Sequence, residues 1–144
     1  MGDLSAYKVG AHRHVPEIKQ AAGVTSLTFV PVLAPMPRGI LSSVAVRPLH
    51  GATEADARAA LAAAYGDEPF VHLLEEGQQP HTSSTAGSNG AQVQVVTDQD
   101  SGRLVLTCTI DNLGKGAAGQ ALQNANLMLG LPETAGLSAD GIAP

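Results

Sequence analysis

Aromatic side chains are nearly missing from this chain: two Tyr, two Phe and no Trp make up 3% of its 144 residues. The core must be filled by Ala, Val, Leu and Ile, small side chains that suit close approach between elements. Cysteine is as scarce. The single thiol, Cys108, excludes an intramolecular disulfide and agrees with a reducing compartment. Basic residues are few, eight Lys and Arg against thirteen Asp and Glu for a net charge of -5. No basic stripe or stacking aromatics stand out, which argues against a nucleic-acid partner. No apolar run approaches the roughly 20 residues that cross a bilayer. The opening Met1–Lys8 lacks the charged-then-apolar pattern of a secretory signal. The expectation is a soluble cytoplasmic chain folded as one domain over residues 1–144.

What is present reads as alternating helices and strands. Pro16 to Ala22 has Pro at a first helical position, Glu17 in the first turn and Gly23 as a stop. Thr25 to Leu33 alternates as a strand does, and Pro31 and Pro35 demote its end to an edge or loop. Ile40 to Arg47 is again strand-like, with Ile40, Ser42, Val44 and Val46 on one face. Thr53 reads as the N-cap of a helix whose stripe is Ala57, Leu61 and Ala64, ending at Gly66. Phe70 to Leu74 is a short apolar strand, and residues 76–90 form a loop rich in Gln, Pro, Ser, Thr and Gly. Ala91 to Asp98 and Arg103 to Ile110 are two strands joined as a hairpin. The last helix runs from about Gly116 to Leu129 and is stopped by Gly130 and Pro132. This order predicts an α+β domain with a mixed, largely antiparallel sheet and helices packed on one face. The other face is wet or a subunit interface.

The last helix carries no charge between Lys115 and Glu133, whereas a free surface helix normally carries Lys and Glu outward. It is therefore expected to touch something on both faces. Gly114 to Gly119 matches G-x-G-x-x-G, but no second parallel strand follows the helix, so a dinucleotide-binding fold is rejected here. No G-x-S-x-G is present, which removes the serine-nucleophile reading. Cys108 lies within a strand among apolar neighbours, where a thiol is usually inert.

One polar cluster remains, His12-Arg13-His14 with Glu17 and Gln20 at a helix start. A histidine there can serve as acid or base on an anionic substrate. The same residues also fit an ordinary polar loop-helix junction. A metal site fits poorly, because His12 and His14 supply two ligands and no third has a companion spacing. Arg38, stiffened by Pro35 and Pro37, suits bidentate contact with phosphate or carboxylate, or is a plain edge-loop arginine.

Taken in order, Tyr7, His12-Arg13-His14-x-Pro16-Glu17-Ile18-x-Gln20, Phe29-x-Pro31-x-Leu33-x-Pro35-x-x-Arg38-Gly39-Ile40, Pro69-Phe70-Val71 and Gly87-Ser88-Asn89 begin a series. It continues with Asp111-Asn112-Leu113-x-Lys115-Gly116-Ala117-Ala118-Gly119-Gln120 and Leu131-Pro132-Glu133-Thr134. The series resembles the C-terminal half of N-acetyl-γ-glutamyl-phosphate reductases. That resemblance implies a glyceraldehyde-phosphate-dehydrogenase-like C-terminal domain. It also implies an NADP-dependent enzyme of arginine biosynthesis that reduces N-acetylglutamyl phosphate to its semialdehyde through a cysteine thioester. It makes His14 the acid/base and sets His12, Arg13, Glu17, Gln20 and Arg38 around the acyl phosphate. Asn112, Lys115 and Gly116 would meet the cofactor, the helix over residues 113–130 would pack on the nucleotide-binding domain, and the sheet would join two copies.

The departures matter as well. Many members carry His where Val32 stands, and no Gly-Cys-Tyr nucleophile segment or nucleotide-binding domain occurs in these residues. The expectation is a truncated reductase, inactive alone. A non-catalytic self-associating or partner-binding module is the alternative, and a small metal-binding protein using His12 and His14 a third.

Overall fold

A computed structural model describes residues 2–142. They form two compact units, divided after Pro37, which are taken in turn.

The first unit contains β1 (Ser5–Ala6), α1 (Val15–Ala22) and β2 (Val32–Leu33). Helix α1 follows from its termini: Pro stands at its start, Glu17 in its first turn, and Gly23 closes it at φ 64°. That left-handed angle costs glycine nothing and lets its N–H reach the Lys19 and Gln20 carbonyls. Strands β1 and β2 pair antiparallel, Ser5 with Leu33 and Ala6 with Val32, and the Tyr7 N–H donates to the Pro31 carbonyl at 3.1 Å. The strand expected over residues 25–33 is thus reduced to its last two residues. Alternation specifies an extended chain, but a ladder also needs a partner of equal length, and only the short β1 supplies one.

The second unit is built on β3 (Ile40–Val46), β4 (Val71–Leu73), β5 (Ala91–Asp98) and β6 (Arg103–Ile110). Its sheet order is β3-β6-β5-β4, with β3–β6 and β6–β5 antiparallel and β4–β5 parallel. The fold is α+β with a mixed, largely antiparallel sheet, as the order of elements implied. Strands β5 and β6 begin and end at the residues expected, because Gln99–Gly102 turns the chain between them. The register puts Ser42, Val44, Leu106, Cys108, Val93 and Val95 on one face. Helix α2 (Glu54–Tyr65) covers part of that face, and Leu61 and Tyr65 line a groove of about 320 Å³ with Val71, Val93, Leu106 and Cys108. A capping box starts α2: the Thr53 hydroxyl accepts from the Asp56 N–H, and the Asp56 carboxylate accepts from the Thr53 N–H.

Strand β5 is eight residues long and β4 only three, so β5 has an edge beyond the end of β4. Unpaired backbone there would be costly or would invite pairing with another chain. Side chains close it. The Thr97 N–H donates to Glu54 Oε2 at 2.6 Å and the Val95 N–H to Gln94 Oε1 at 3.0 Å. Gln94 is anchored in turn, donating through Nε2 to the Glu75 and Gln78 carbonyls and accepting from Arg58 Nη1. Strand β3 is treated differently. All seven of its residues are exposed, including Leu41, Val44 and Ile40.

Apolar core is sparse in this unit: Phe70, Ala91, Val95 and Leu104 are buried, alongside Thr85, Ser88, Asn89, Gln94, Thr109, Asp111 and Asn126. Buried polar groups require partners, and these bind the loops to the sheet. The segment expected as plain loop over residues 76–90 contains one turn of helix, α3 (Thr82–Thr85). Its carbonyl at Thr85 accepts the Ser88 hydroxyl, which in turn accepts the Gly90 N–H.

The last helix is also not uniform. Gly114–Ala118 forms a π-helical turn before α4 (Gly119–Leu129), with Gly116 N–H donating to Asp111 O and Ala118 N–H to Leu113 O, five residues back. The glycines explain the wide turn. A Cβ at Gly114 would lie 2.1 Å from the Ser88 carbonyl oxygen, and one at Gly119 would lie 2.4 Å from Asn89 Oδ1. The G-x-G-x-x-G spacing therefore serves close packing against residues 88–89. In α4 only Asn126 is buried, donating to the Glu133 and Ala135 carbonyls, while Leu127, Met128 and Leu129 are exposed.

Candidate active-site residues

In the first unit His12 is the buried member of the polar cluster, 8% exposed, whereas Arg13, His14, Glu17 and Gln20 lie at the surface. Rings surround it edge-on: Tyr7 at 5.4 Å between centroids, His14 at 4.8 Å and Phe29 at 5.1 Å. Its Nδ1 accepts the His14 backbone N–H at 3.2 Å. Burial lowers its pKa from the ordinary histidine value, and the positive charges available to His14, Lys8 and Arg13 lower it further. His14 is the N-cap of α1, yet its side chain makes no capping hydrogen bond. The imidazole is left available at the helix start. Glu17 and Gln20, three apart in α1, share a helix face.

In the second unit Arg38 leads into β3 and meets Asp111 at the end of β6. Arg38 Nε stands 2.7 Å from Asp111 Oδ2, and the two side chains are 35% and 0% exposed. The contact is a charge pair whose N–H is not aligned as a hydrogen bond. Asp111 also accepts from the backbone N–H groups of Gly87, Leu113 and Gly114. Burial by itself would raise its pKa, but Arg38 and the N–H groups of Gly114, Gly87 and Leu113 overcome that and hold the carboxyl well below the usual carboxylate range. Asn112 makes a second tie alongside, its Oδ1 accepting the Gly39 N–H at 2.6 Å. Arg38-Gly39 is thus laced to Asp111-Asn112 by two contacts.

Lys115 Nζ donates to Gln123 Oε1 at 2.7 Å and lies 5.6 Å above the Phe70 ring. Gln123 also accepts from Asn89 Nδ2 and donates to Glu133 Oε1. Gly116 is exposed in the π turn, where a Cβ would approach the Asp111 carbonyl oxygen at 3.3 Å. Cys108 is half-buried in β6, and burial pushes its thiol pKa up.

Asp111 heads the Asp-Asn-Leu-x-Lys-Gly series, but no motif marks it as the anchor of Arg38 and of the turn that follows. Its signal was local: Asp just before a Gly-rich turn commonly takes backbone N–H groups one to three residues on. Among the described residues no group of three or more His, Cys, Asp and Glu is arranged to hold a metal ion, and no helix is long and apolar enough to cross a membrane.

The chain belongs to the semialdehyde dehydrogenase, dimerisation domain family, whose model matches residues 1–112. Within that class its relatives are N-acetyl-gamma-glutamyl-phosphate reductases. The one from Salinispora arenicola (strain CNS-205) is 62% identical over 144 residues, covering all of this chain and 42% of the relative. Those of Frankia casuarinae and Arthrobacter sp. (strain FB24) are 59% and 52% identical over 150 residues, covering all of this chain and 44% of each relative. The chain thus spans less than half the length of these curated relatives.

Proposed function

We propose that this chain is the substrate-binding and dimerisation portion of an NADP-dependent reductase that converts N-acetylglutamyl phosphate to N-acetylglutamate semialdehyde. The observation that supports it best is the 62% identity, maintained over all 144 residues, to a reductase of that name. His14 acts as acid/base, its imidazole uncommitted at the start of α1. Arg13, Glu17 and Gln20 bind the substrate beside it, and Arg38 holds the phosphoryl charge as phosphate leaves. Its Nη groups make no hydrogen bond among the described residues and so fit that task.

NADPH supplies the hydride when bound. The donor set fits it at Asn112, whose Oδ1 holds Gly39 while its Nδ2 has no partner among the described residues. Lys115 and Gly116 stand next in the chain, but the Lys115 ammonium would have to exchange Gln123 for the cofactor. The chain by itself does not turn over, because thioester chemistry requires a thiolate and Cys108 is held as a half-buried thiol. Two copies associate through the sheet, a reading supported by the exposed apolar residues of β3.

The test is a chimera in which this chain replaces the matching segment of the Salinispora reductase. We expect phosphate-dependent reduction of NADP by the semialdehyde, lowered about 10²- to 10⁴-fold in kcat by His14→Ala. A folded chimera without turnover, or one indifferent to His14→Ala, refutes the assignment. Turnover by the 144 residues alone refutes their inactivity.

A further inference from the structure

We infer that His12 is a positioning residue rather than a substrate ligand: as a neutral imidazole protonated on Nε2, it holds the His14 backbone through Nδ1 and so sets where the His14 ring is presented. The argument begins with the atoms in contact. A backbone amide can only donate, so the 3.2 Å contact from the His14 N–H to His12 Nδ1 requires a lone pair on Nδ1. The ring proton must then sit on Nε2. Burial and aromatic edges fix the rest, since His12 is 8% exposed and packed against Tyr7 and Phe29 as well as His14. An imidazolium there would be partly desolvated, would face the cations Lys8 and Arg13 and the His14 ring, and would lose the acceptor that His14 uses. Desolvation and the cations favour the neutral ring, and the contact with the His14 N–H selects its Nε2–H tautomer.

The consequence is a division of labour between two residues of one type. His14 has an exposed ring with no capping duty, and its backbone is tied down from two sides: its N–H to His12, and its carbonyl to the Ile18 N–H at 2.9 Å. An acid/base group must meet its substrate within hydrogen-bonding reach, so fixing the Cα from which the ring projects narrows the search for that geometry. His12 supplies that restraint without competing for the proton. Its catalytic meaning rests on the reading of His14 as acid/base; the tautomer and the hydrogen bond do not.

Two substitutions separate the roles of the two ring nitrogens. Asn places an oxygen near the position of Nδ1, and Gln places a polar group near that of Nε2. In the ¹⁵N-histidine-labelled chain at neutral pH, two-bond ¹H–¹⁵N spectra are expected to show His12 as the Nε2–H tautomer. Hydrogen exchange at the His14 amide is expected to be several-fold slower in His12→Asn than in His12→Gln, the size of one neutral hydrogen bond. An Nδ1–H tautomer or an imidazolium at His12, or protection kept by Gln and lost by Asn, overturns the inference. If both variants unfold, the tautomer in the unsubstituted chain decides by itself. In the chimera, loss of turnover in His14→Ala tests the acid/base reading separately, so the two ideas can fail independently.

Discussion

Replacing Asp111 by Asn removes one negative charge and changes almost nothing in shape, which isolates what the buried carboxylate does. Its two oxygens serve different donors: Oδ1 accepts from Leu113 and Gly114, and Oδ2 accepts from Gly87 and faces Arg38. An amide has one acceptor end. Whichever way it is turned, its NH₂ confronts a donor that the carboxylate had accepted. Turned to keep Leu113 and Gly114, it strands the Gly87 N–H, at a cost of about 1–3 kcal/mol for a buried unsatisfied group. The two bonds kept become neutral, losing about 1 kcal/mol each. The Arg38 pair adds up to about 1 kcal/mol, discounted because that side chain is about a third exposed.

The total is about 3–6 kcal/mol, a large part of the roughly 5–15 kcal/mol that holds a domain together. At about 2–4 °C per kcal/mol for a chain near 150 residues, the melting temperature should fall by at least about 6 °C, measured by far-UV circular dichroism. A second arm uses pH. Asp111 has a lower pKa folded than unfolded, so its contribution is present above about pH 4 and is lost as pH falls through the depressed folded value. The gap between the parent and Asp111→Asn should therefore be constant near neutral pH and shrink below about pH 4. A fall in melting temperature under about 4 °C at pH 7, or a gap that widens in acid, refutes the argument.

Gly119→Ala should destabilise by about 1–3 kcal/mol through overpacking, since its Cβ would meet Asn89 Oδ1 at 2.4 Å, and the urea midpoint of unfolding reads this directly. Gly102→Ala, where nothing lies within 4 Å, is the contrasting substitution that pays only for its left-handed φ of 66°. Thr53→Ala removes one half of the α2 capping box and should cost about 1 kcal/mol in the same measurement.

The elements legible in the sequence were those whose signals are local. Thr53 with Asp56 marks α2, Pro16 and Gly23 bracket α1, and the turn at residues 99–102 fixes both ends of the hairpin. Thr25 to Leu33 misled because alternation describes one chain and a strand needs two. The π turn was invisible for a related reason: its wide geometry follows from Ser88 and Asn89 pressing on Gly114 and Gly119, 26 and 30 residues away. The site divides in the same way. His12 and His14 announced themselves by type and spacing, but which nitrogen of His12 is used emerged only from the contact with the His14 amide. The internal engagements of Arg38, Asn112 and Lys115 each involve a residue distant in sequence or about two turns of helix away, which no motif records.

The pairing of β3 with β6 sets a time order for folding. Strands β5 and β6 meet across a four-residue turn, whereas Ile40 must find Ile110 across 69 intervening residues. Closing a loop of that length costs more chain entropy than closing the turn, so the hairpin is expected to form before β3 docks. Arg38 and Asp111 stand at the very start of the late ladder. We expect the ion pair between them to close late in folding, so weakening it should shorten the lifetime of the folded chain more than it delays its formation, which unfolding and refolding rates would measure.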